Sequence, residues 1–197
     1  EHSTLALLFI DLDHFKSIND THGHATGDEL LVAVARQLGA VLRQSDVVCR
    51  MGGDEFLVLL PRVEGWEQVA ATADRLLERL ARPLAVSGLK SEVRIGASVG
   101  IALYPRDGSD FDTLARTADL AMYRSKDLGR GRYSFFQPEL DTDFRARLEL
   151  ERELSEAIEQ RQFVLYLQPV VDLTAGRVAG CEALLRWRHP QRGLLAP

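Results

Sequence analysis

Two short acidic segments are the first features of this 197-residue sequence that could do chemistry. Asp11 and Asp13 directly follow the apolar run Leu5–Ile10, which is typical of a buried strand. Residues 52–55, Gly-Gly-Asp-Glu, predict a glycine turn that exposes two acids and holds them between flanking strands. If that turn lies beside the first strand, Asp11 and Asp54 converge, and converging carboxylates repel each other unless a cation lies between them. Oxygen ligands favour Mg²⁺ or Mn²⁺, although acids and glycines are also common in ordinary turns.

Two cations, Lys126 and Arg130, stand four residues apart near the end of a predicted helix, and this spacing predicts that they share one helical face. They could clamp the phosphates of a ligand. Alternatively, they could simply interact with the negative end of the helix dipole. From these two residues alone, the second interpretation is the better supported.

The spacing of apolar residues predicts the element order β-α-β-β-α-β-α-β over residues 5–136. A polar loop is expected after Asp13 through Gly27, and a helix from Asp28 to Leu42. Further helices are predicted over residues 66–80 and 111–128, and further strands over 46–50, 56–60, 93–103 and 133–136. Two β-α-β units around a hairpin predict an α+β fold, in which a ferredoxin-like, palm-type antiparallel sheet carries its helices on one face. A doubly wound parallel sheet is the weaker alternative.

Composition excludes several classes of protein. Hydrophobic residues make up 46% and charged residues 27% of the chain, which argues against disorder. The net charge of −5 supplies no general basic face, so we expect no nucleic-acid partner. No run approaches the roughly 18 apolar residues that cross a bilayer, so we expect no membrane contact by this segment. Cys49 and Cys181 lack metal-ligand spacing and are expected to be reduced thiols of a cytoplasmic protein.

The sequence predicts three regions: a first domain over residues 1–138, a connector helix rich in Glu and Arg over 139–162, and part of another domain over 163–197. In the last region, Phe163–Val171 and Val178–Trp187 predict two strands joined by a turn at residues 175–176. Two strands cannot bury a core by themselves, so we interpret the sequence as a segment of a longer protein.

Several sequence blocks together resemble the GGDEF family. Residues 9–20 (FIDLDHFKSIND) and 23–28 (GHATGD) resemble its opening block, and residues 50–56 (RMGGDEF) contain the motif that names the family. Residues 98–102 (SVGIA) and 118–126 (ADLAMYRSK) resemble its later blocks, whereas the helix that usually precedes the family's first strand has no counterpart here. The resemblance implies a diguanylate cyclase, which converts two GTP into cyclic di-GMP and two pyrophosphates.

The resemblance also implies roles for individual residues. Mg²⁺ (or Mn²⁺) would be held by Asp11, Asp54 and the carbonyl of Leu12, with Asp13 and Glu55 as further ligands. Asp54 would be catalytic together with Glu55, and would accept the proton of the attacking 3′-hydroxyl. Guanine would be recognised by Asn19, His24 and Asp28. The phosphates would be bound by the amides around Phe15 and Lys16 and by the side chains of Lys126 and Arg130.

The resemblance further implies a homodimer, because each domain binds one GTP and the two reactants must meet in line. The partners would therefore be GTP, cyclic di-GMP and a second GGDEF domain. Arg43 and Asp46 match the family's inhibitory product site (I-site), Arg-x-x-Asp, in residue type and in spacing. An exposed ion pair in a surface turn is the alternative.

Residues 167–172 (LQPVVD) and 182–187 (EALLRW) resemble the start of the EAL family, which hydrolyses cyclic di-GMP inside a TIM-like barrel. Glu182 would correspond to its first metal ligand, and Gln168 and Arg186 to positions that contact substrate. Because about 50 residues cannot form a barrel of about 250, we expect no phosphodiesterase activity from this segment. Two alternatives to an active cyclase stay open: a non-catalytic receptor for GTP or cyclic di-GMP, and a regulatory domain that controls an EAL phosphodiesterase.

Overall fold

The computed structural model describes residues 4–84, 86, 92–138, 150 and 152–196. The chain divides into two compact units, Glu1–Thr142 and Asp143–Pro197. The domain boundaries that we expected at residues 138 and 162 stay predictions, and half of the expected connector, residues 139–149 and 151, lies outside the described residues. Among the described residues, no helix is both long enough and apolar enough to cross a membrane.

A mixed five-stranded sheet forms the centre of the first unit, in the order β2-β3-β1-β4-β5. The strands are β1 (Leu5–Asp13), β2 (Val47–Gly52), β3 (Glu55–Pro61), β4 (Gly96–Tyr104) and β5 (Tyr133–Phe135). The first four strands pair antiparallel, which confirms the ferredoxin-like arrangement, whereas β5 joins β4 in parallel. The strand expected from Val93 begins at Gly96, since Val93 forms an isolated bridge with Leu84.

Helices cover both faces of this sheet, so the expectation that they lie on one face was wrong. The helices are α1 (Phe15–His22), α2 (His24–Val41), α3 (Trp66–Leu80) and α4 (Phe111–Asp127). Alternate residues of β1 point to opposite sides: Leu8 and Ile10 belong to the core with α2 and α3, and Leu7 and Phe9 pack with α4. A strand buried on both faces explains why residues 5–10 are continuously apolar.

The loop expected between residues 14 and 27 is helical, and that prediction was wrong. Of the residues of α1, only Phe15 is buried, so its polar composition resembles that of a loop. Gly23, with a φ of 84°, separates α1 from α2. Helix α2 therefore begins at His24, four residues before the expected start at Asp28.

Gly100 allows α4 to lie directly on β4. A Cβ atom at this position would collide with the carbonyl oxygen of Ala118 and the backbone nitrogen of Met122. Ser125 adds a polar contact to the same interface, because its Oγ donates to the carbonyl oxygen of Val99 at 2.8 Å. This close packing fixes the height of the last turn of α4 above the sheet.

The second unit contains a three-stranded antiparallel sheet of β6 (Phe163–Asp172), β7 (Arg177–His189) and β8 (Gly193–Leu195). Residues 152–159 are helical. The two expected strands are confirmed, and β8 was missed because three residues carry too little pattern to be recognised. In the turn, Asp172 Oδ1 accepts the backbone N–H groups of Thr174 and Ala175 at 2.9 and 3.0 Å. The described residues of this unit form no closed barrel.

Candidate functional site

The glycine turn lies beside the carboxyl end of β1. Asp11 is paired with Glu55 in the β1–β3 register, and the backbone N–H of Leu12 donates to the carbonyl oxygen of Asp54 at 3.2 Å. Gly53 has a φ of 50°, a left-handed conformation that favours glycine. The sequence therefore folds so that the two acidic segments become neighbours, as the hairpin predicted.

Arg50 fixes the conformation of this turn. Its Nε and Nη2 both donate to the carbonyl oxygen of Gly53, at 3.0 and 2.8 Å. A forked contact to one oxygen defines the turn immediately before Asp54. The sequence alone assigned no role to Arg50, although its position as the first residue of the motif block at residues 50–56 could have indicated one.

Lys126, in the last turn of α4, contacts the carboxyl group of Asp11 on β1. Its Nζ lies 2.8 Å from Asp11 Oδ2, and Asp11 is only 8% exposed. Asp11 follows Leu7 and Phe9 in the alternation of β1, so it points to the face of the sheet that α4 covers. The last turn of α4 thus places a cation on the buried acid of β1.

Several acidic side chains lie close to the contact between Asp11 and Lys126. Burial raises the pKa of Asp11, the ion pair with Lys126 opposes this, and the charges of Asp54 and Asp13 raise the pKa further. The pKa of Glu55 is also raised, first by burial and then by the charges of Asp11, Asp119 and Asp54. The acids therefore interact electrostatically, as they would around a shared cation.

Asp119 is a further member of this charge cluster that the sequence analysis missed. Burial raises the pKa of its carboxyl group, while the charge of Lys126 lowers it. Asp119 lies seven residues before Lys126 on α4, so two helical turns bring it to the same face. That spacing was the signal that could have revealed it.

The donor set suits a hard divalent cation. Asp11 and Asp54 offer carboxylate oxygens, and Leu12 offers a backbone carbonyl, which are ligands that Mg²⁺ prefers. Within the described part of the chain, no three His, Cys, Asp or Glu side chains are grouped to hold a metal by themselves. An open site of this kind agrees with Mg²⁺, which is usually held by one or two carboxylates and completes its shell with water and phosphate oxygens.

The residues expected to recognise guanine lie on α1 and α2. Asn19 Oδ1 is buried and has no hydrogen-bond partner, and its side chain packs directly against Gly27, where a Cβ atom would collide with it. Asp28 follows Gly27 and lines a groove of about 300 Å³ between α2 and β2, whereas His24 is exposed at the first position of α2. An unpartnered buried oxygen at this position agrees with an unfilled polar contact.

The residues expected near the phosphates are less closely grouped. Phe15 is buried at the start of α1, after His14 with a φ of 61°, and Lys16 is exposed. Helix α4 ends at Asp127, and Arg130 follows in a left-handed conformation with a φ of 61°. The reasoning that put Lys126 and Arg130 on one helical face was therefore wrong, because the helix ends between them.

Arg43 and Asp46 share one exposed turn between α2 and β2. The backbone N–H of Arg43 donates to Asp46 Oδ2 at 2.8 Å, and the backbone N–H of Asp46 donates to the Arg43 carbonyl at 3.0 Å. The turn orients the carboxylate through backbone contacts, so the expected I-site residues are neighbours. Their role as an I-site stays a prediction.

In the second unit, the three EAL-like residues lie on one face of the sheet. Gln168 is directly opposite Glu182, and Arg186 lies four positions after Glu182 on β7. Side chains of alternate residues share a face, so all three project to the same side; Gln168 and Glu182 are exposed, and Arg186 is half-buried.

Two family models match the chain. The model described as "Diguanylate cyclase, GGDEF domain" matches residues 1–132, and the EAL domain model matches residues 151–197. The first match covers β1 to β4 and ends just before β5, and it includes every first-unit residue assigned above to the candidate site.

Curated relatives match along almost the entire chain. MucR of Pseudomonas aeruginosa, a bifunctional diguanylate cyclase/cyclic di-GMP phosphodiesterase, is 46% identical over 192 residues, which are 98% of this chain and 28% of MucR. PdeR of Escherichia coli, a cyclic di-GMP phosphodiesterase, is 40% identical over 197 residues, which are 100% of this chain and 29% of PdeR. The chain thus spans less than a third of the length of these relatives.

Solved structures resemble the first unit. A GGDEF domain of PA1120 from Pseudomonas aeruginosa aligns with a TM-score of 0.70 at 38% identity, over 73% of this chain and 83% of that one. The GGDEF domain of DgcB from Caulobacter crescentus, in complex with c-di-GMP, aligns with a TM-score of 0.62 at 34% identity, over 68% and 78% of the two chains. Together with the matched fold and motif residues, these comparisons show that the chain belongs to the GGDEF family, with a short EAL segment after the GGDEF domain.

Proposed function

We propose that the first unit is a diguanylate cyclase, which condenses two GTP into cyclic di-GMP and two pyrophosphates. The observation that carries the proposal is the buried contact of 2.8 Å between Asp11 and Lys126, beside the turn that bears Asp54. Acids whose charges repel, together with one lysine, suit a triphosphate accompanied by a divalent cation. The family membership supports the same reaction. GTP is a cytoplasmic nucleotide, so we expect the domain to act there.

In this reaction, a 3′-hydroxyl oxygen bonds to the α-phosphorus of the other GTP, and the bond from that phosphorus to the pyrophosphate oxygen breaks. Asp11, Asp54 and the Leu12 carbonyl would hold the cation, which would neutralise charge on the phosphates and the leaving pyrophosphate. Lys126 would exchange Asp11 for phosphate oxygens when the nucleotide binds. Asp54, with Glu55 beside it, would lie closest to the hydroxyl that gives up its proton.

Guanine recognition would come from Asn19 and Asp28. A carboxylate can accept hydrogen bonds from N1–H and from the 2-amino group of guanine, neither of which adenine offers in that arrangement. The buried, unpartnered Oδ1 of Asn19 supports a ligand at this place. His24, Phe15 and Lys16 complete the proposed nucleotide contacts.

Catalysis would require a dimer, because one domain binds one GTP and both hydroxyl groups must attack in line. The rate per molecule should therefore rise with protein concentration. The exposed turn with Arg43 and Asp46 would bind the product and limit its own synthesis, since a guanidinium can donate two hydrogen bonds to guanine or phosphate.

A second candidate function is regulation of an EAL phosphodiesterase in a longer protein. The alignment of Gln168, Glu182 and Arg186 on one sheet face favours it, as does the similarity to PdeR. In that case the first unit would bind GTP without converting it.

Product analysis distinguishes the two functions. The chain is incubated with GTP and Mg²⁺, and nucleotides are separated by chromatography. We expect cyclic di-GMP and pyrophosphate from the native chain, none from Asp54→Ala, and normal product from Glu78→Gln, an exposed acid on α3. Binding of GTP without any cyclic di-GMP would reject the cyclase and support the regulatory domain.

A further inference from the structure

Asp13 is the second buried acid at the end of β1, two residues after Asp11. It is 7% exposed, its Oδ1 accepts from Ser98 Oγ at 2.7 Å, and its Oδ2 accepts from the backbone N–H of Gly131 at 3.1 Å. Gly96, its partner on β4, makes room for it, because a Cβ atom there would lie 2.8 Å from Oδ2. Both oxygens of Asp13 therefore already have protein donors.

The loop that Asp13 contacts has an unusual backbone. Gly129, Arg130 and Gly131 have φ values of 109°, 61° and 60°. A left-handed conformation is unfavourable for arginine and persists only where surrounding contacts hold it. The Arg130 N–H donates to the Ser125 carbonyl at 3.0 Å, which anchors one side of the loop to α4. The Gly131 N–H donates to Asp13, which anchors the other side to β1.

We propose that Asp13 is a positioning residue and not a metal ligand: it fixes the backbone from which Arg130 projects. The Gly131 N–H donates to the Asp13 carboxylate, so a charged acceptor within the chain binds this backbone donor. The strand that carries Asp11 is thereby joined to the loop that carries Arg130. The inference rests on the proposed function, because a triphosphate is the ligand that Arg130 would meet.

Conservative substitution separates the two roles of Asp13. In Asp13→Asn, the amide oxygen can still accept from Gly131 and the amide N–H can donate to Ser98 Oγ, so a positioning role survives. If Asp13 were a metal ligand, the same substitution would remove its negative charge and weaken the binding of the metal ion. We expect Asp13→Asn to keep the Kd for GTP with Mg²⁺ within about twofold, whereas Asp11→Asn raises it more than about tenfold, both measured by calorimetry.

A double-mutant cycle tests the connection to Arg130. We expect Asp13→Ala and Arg130→Ala each to raise the Kd for GTP about tenfold. The double variant should have a Kd no higher than that of either single variant, because both substitutions remove the same contact of Arg130 with the nucleotide. A double variant weakened about a hundredfold would show independent roles and overturn the proposal. So would Asp13→Asn if it weakened binding as much as Asp11→Asn.

Amide exchange of Gly131, measured by NMR without nucleotide, gives a readout that does not depend on activity. Protection of this amide in the native chain and in Asp13→Asn, and its loss in Asp13→Ala, is the expected result. Unchanged protection in Asp13→Ala would overturn the proposal. If the native chain binds no GTP, the proposed function fails, and amide exchange still decides whether Asp13 holds the loop.

Discussion

Replacing Gly100 with alanine should separate α4 from the sheet. The added Cβ would meet the Ala118 carbonyl oxygen and the Met122 backbone nitrogen, and backbone atoms cannot rotate away. Restoring an ordinary contact requires α4 to retreat by about 1.5 Å. Overpacking commonly costs 1–3 kcal/mol, and because this contact is with backbone, we expect a loss of about 3 kcal/mol in the free energy of unfolding.

The same displacement should impair the site. Lys126 lies on α4 about two turns after Ala118. Movement of the helix away from the sheet would therefore lengthen the contact of 2.8 Å between Lys126 and Asp11. A misplacement of about 1 Å can lower a catalytic rate about a hundredfold. We expect the folded fraction of Gly100→Ala to have about a hundredth of the native cyclase rate.

Gly39→Ala is the matched control for this prediction. Gly39 is exposed in α2, and an added Cβ meets no atom within 4 Å. Alanine in a helix interior is better than glycine by about 0.5–1 kcal/mol, so this variant should gain stability in urea denaturation. The reasoning is refuted if Gly100→Ala unfolds within about 0.5 kcal/mol of the native chain or if Gly39→Ala loses as much stability.

Three other substitutions test the site. Lys126→Met should lower stability by about 1–3 kcal/mol in urea denaturation near pH 7, because it leaves Asp11 buried without its cation. Burial raises the folded-state pKa of Asp11, so its proton is held more tightly in the folded chain and the loss should shrink as pH falls; a constant loss would contradict this. Arg43→Ala should abolish inhibition by added cyclic di-GMP, and unchanged inhibition would exclude the I-site. Arg50→Ala should weaken Mn²⁺ binding without changing secondary structure by circular dichroism, since it frees the Gly53 carbonyl; native Mn²⁺ affinity would contradict this.

Strand β1 and the turn between β2 and β3 could be predicted because the residues that indicate them are adjacent in the sequence. The apolar run at Leu5–Ile10 and the glycine turn at residues 52–53 each define a strand end within a few residues, and their pairing brings Asp11 near Asp54. Helix α1 was missed because one buried side chain is too little periodicity to distinguish a helix from a polar loop.

Other features depend on partners that are distant in sequence. The left-handed loop of residues 129–131 contacts Asp13, which lies 118 positions before Gly131, and helical spacing alone extended α4 to Arg130, although the helix ends at Asp127. The position of α4 on the second face of the sheet similarly depends on Gly100, whose missing side chain matters only when the helix lies above it. Neither contact leaves a pattern in the neighbouring residues.

The most direct test is the binding of Mn²⁺, measured by electron paramagnetic resonance with a non-hydrolysable GTP analogue present. Asp11→Asn and Asp54→Asn should each lose the bound ion, whereas Glu78→Gln should keep it. Native Mn²⁺ affinity in either of the first two variants would contradict the account.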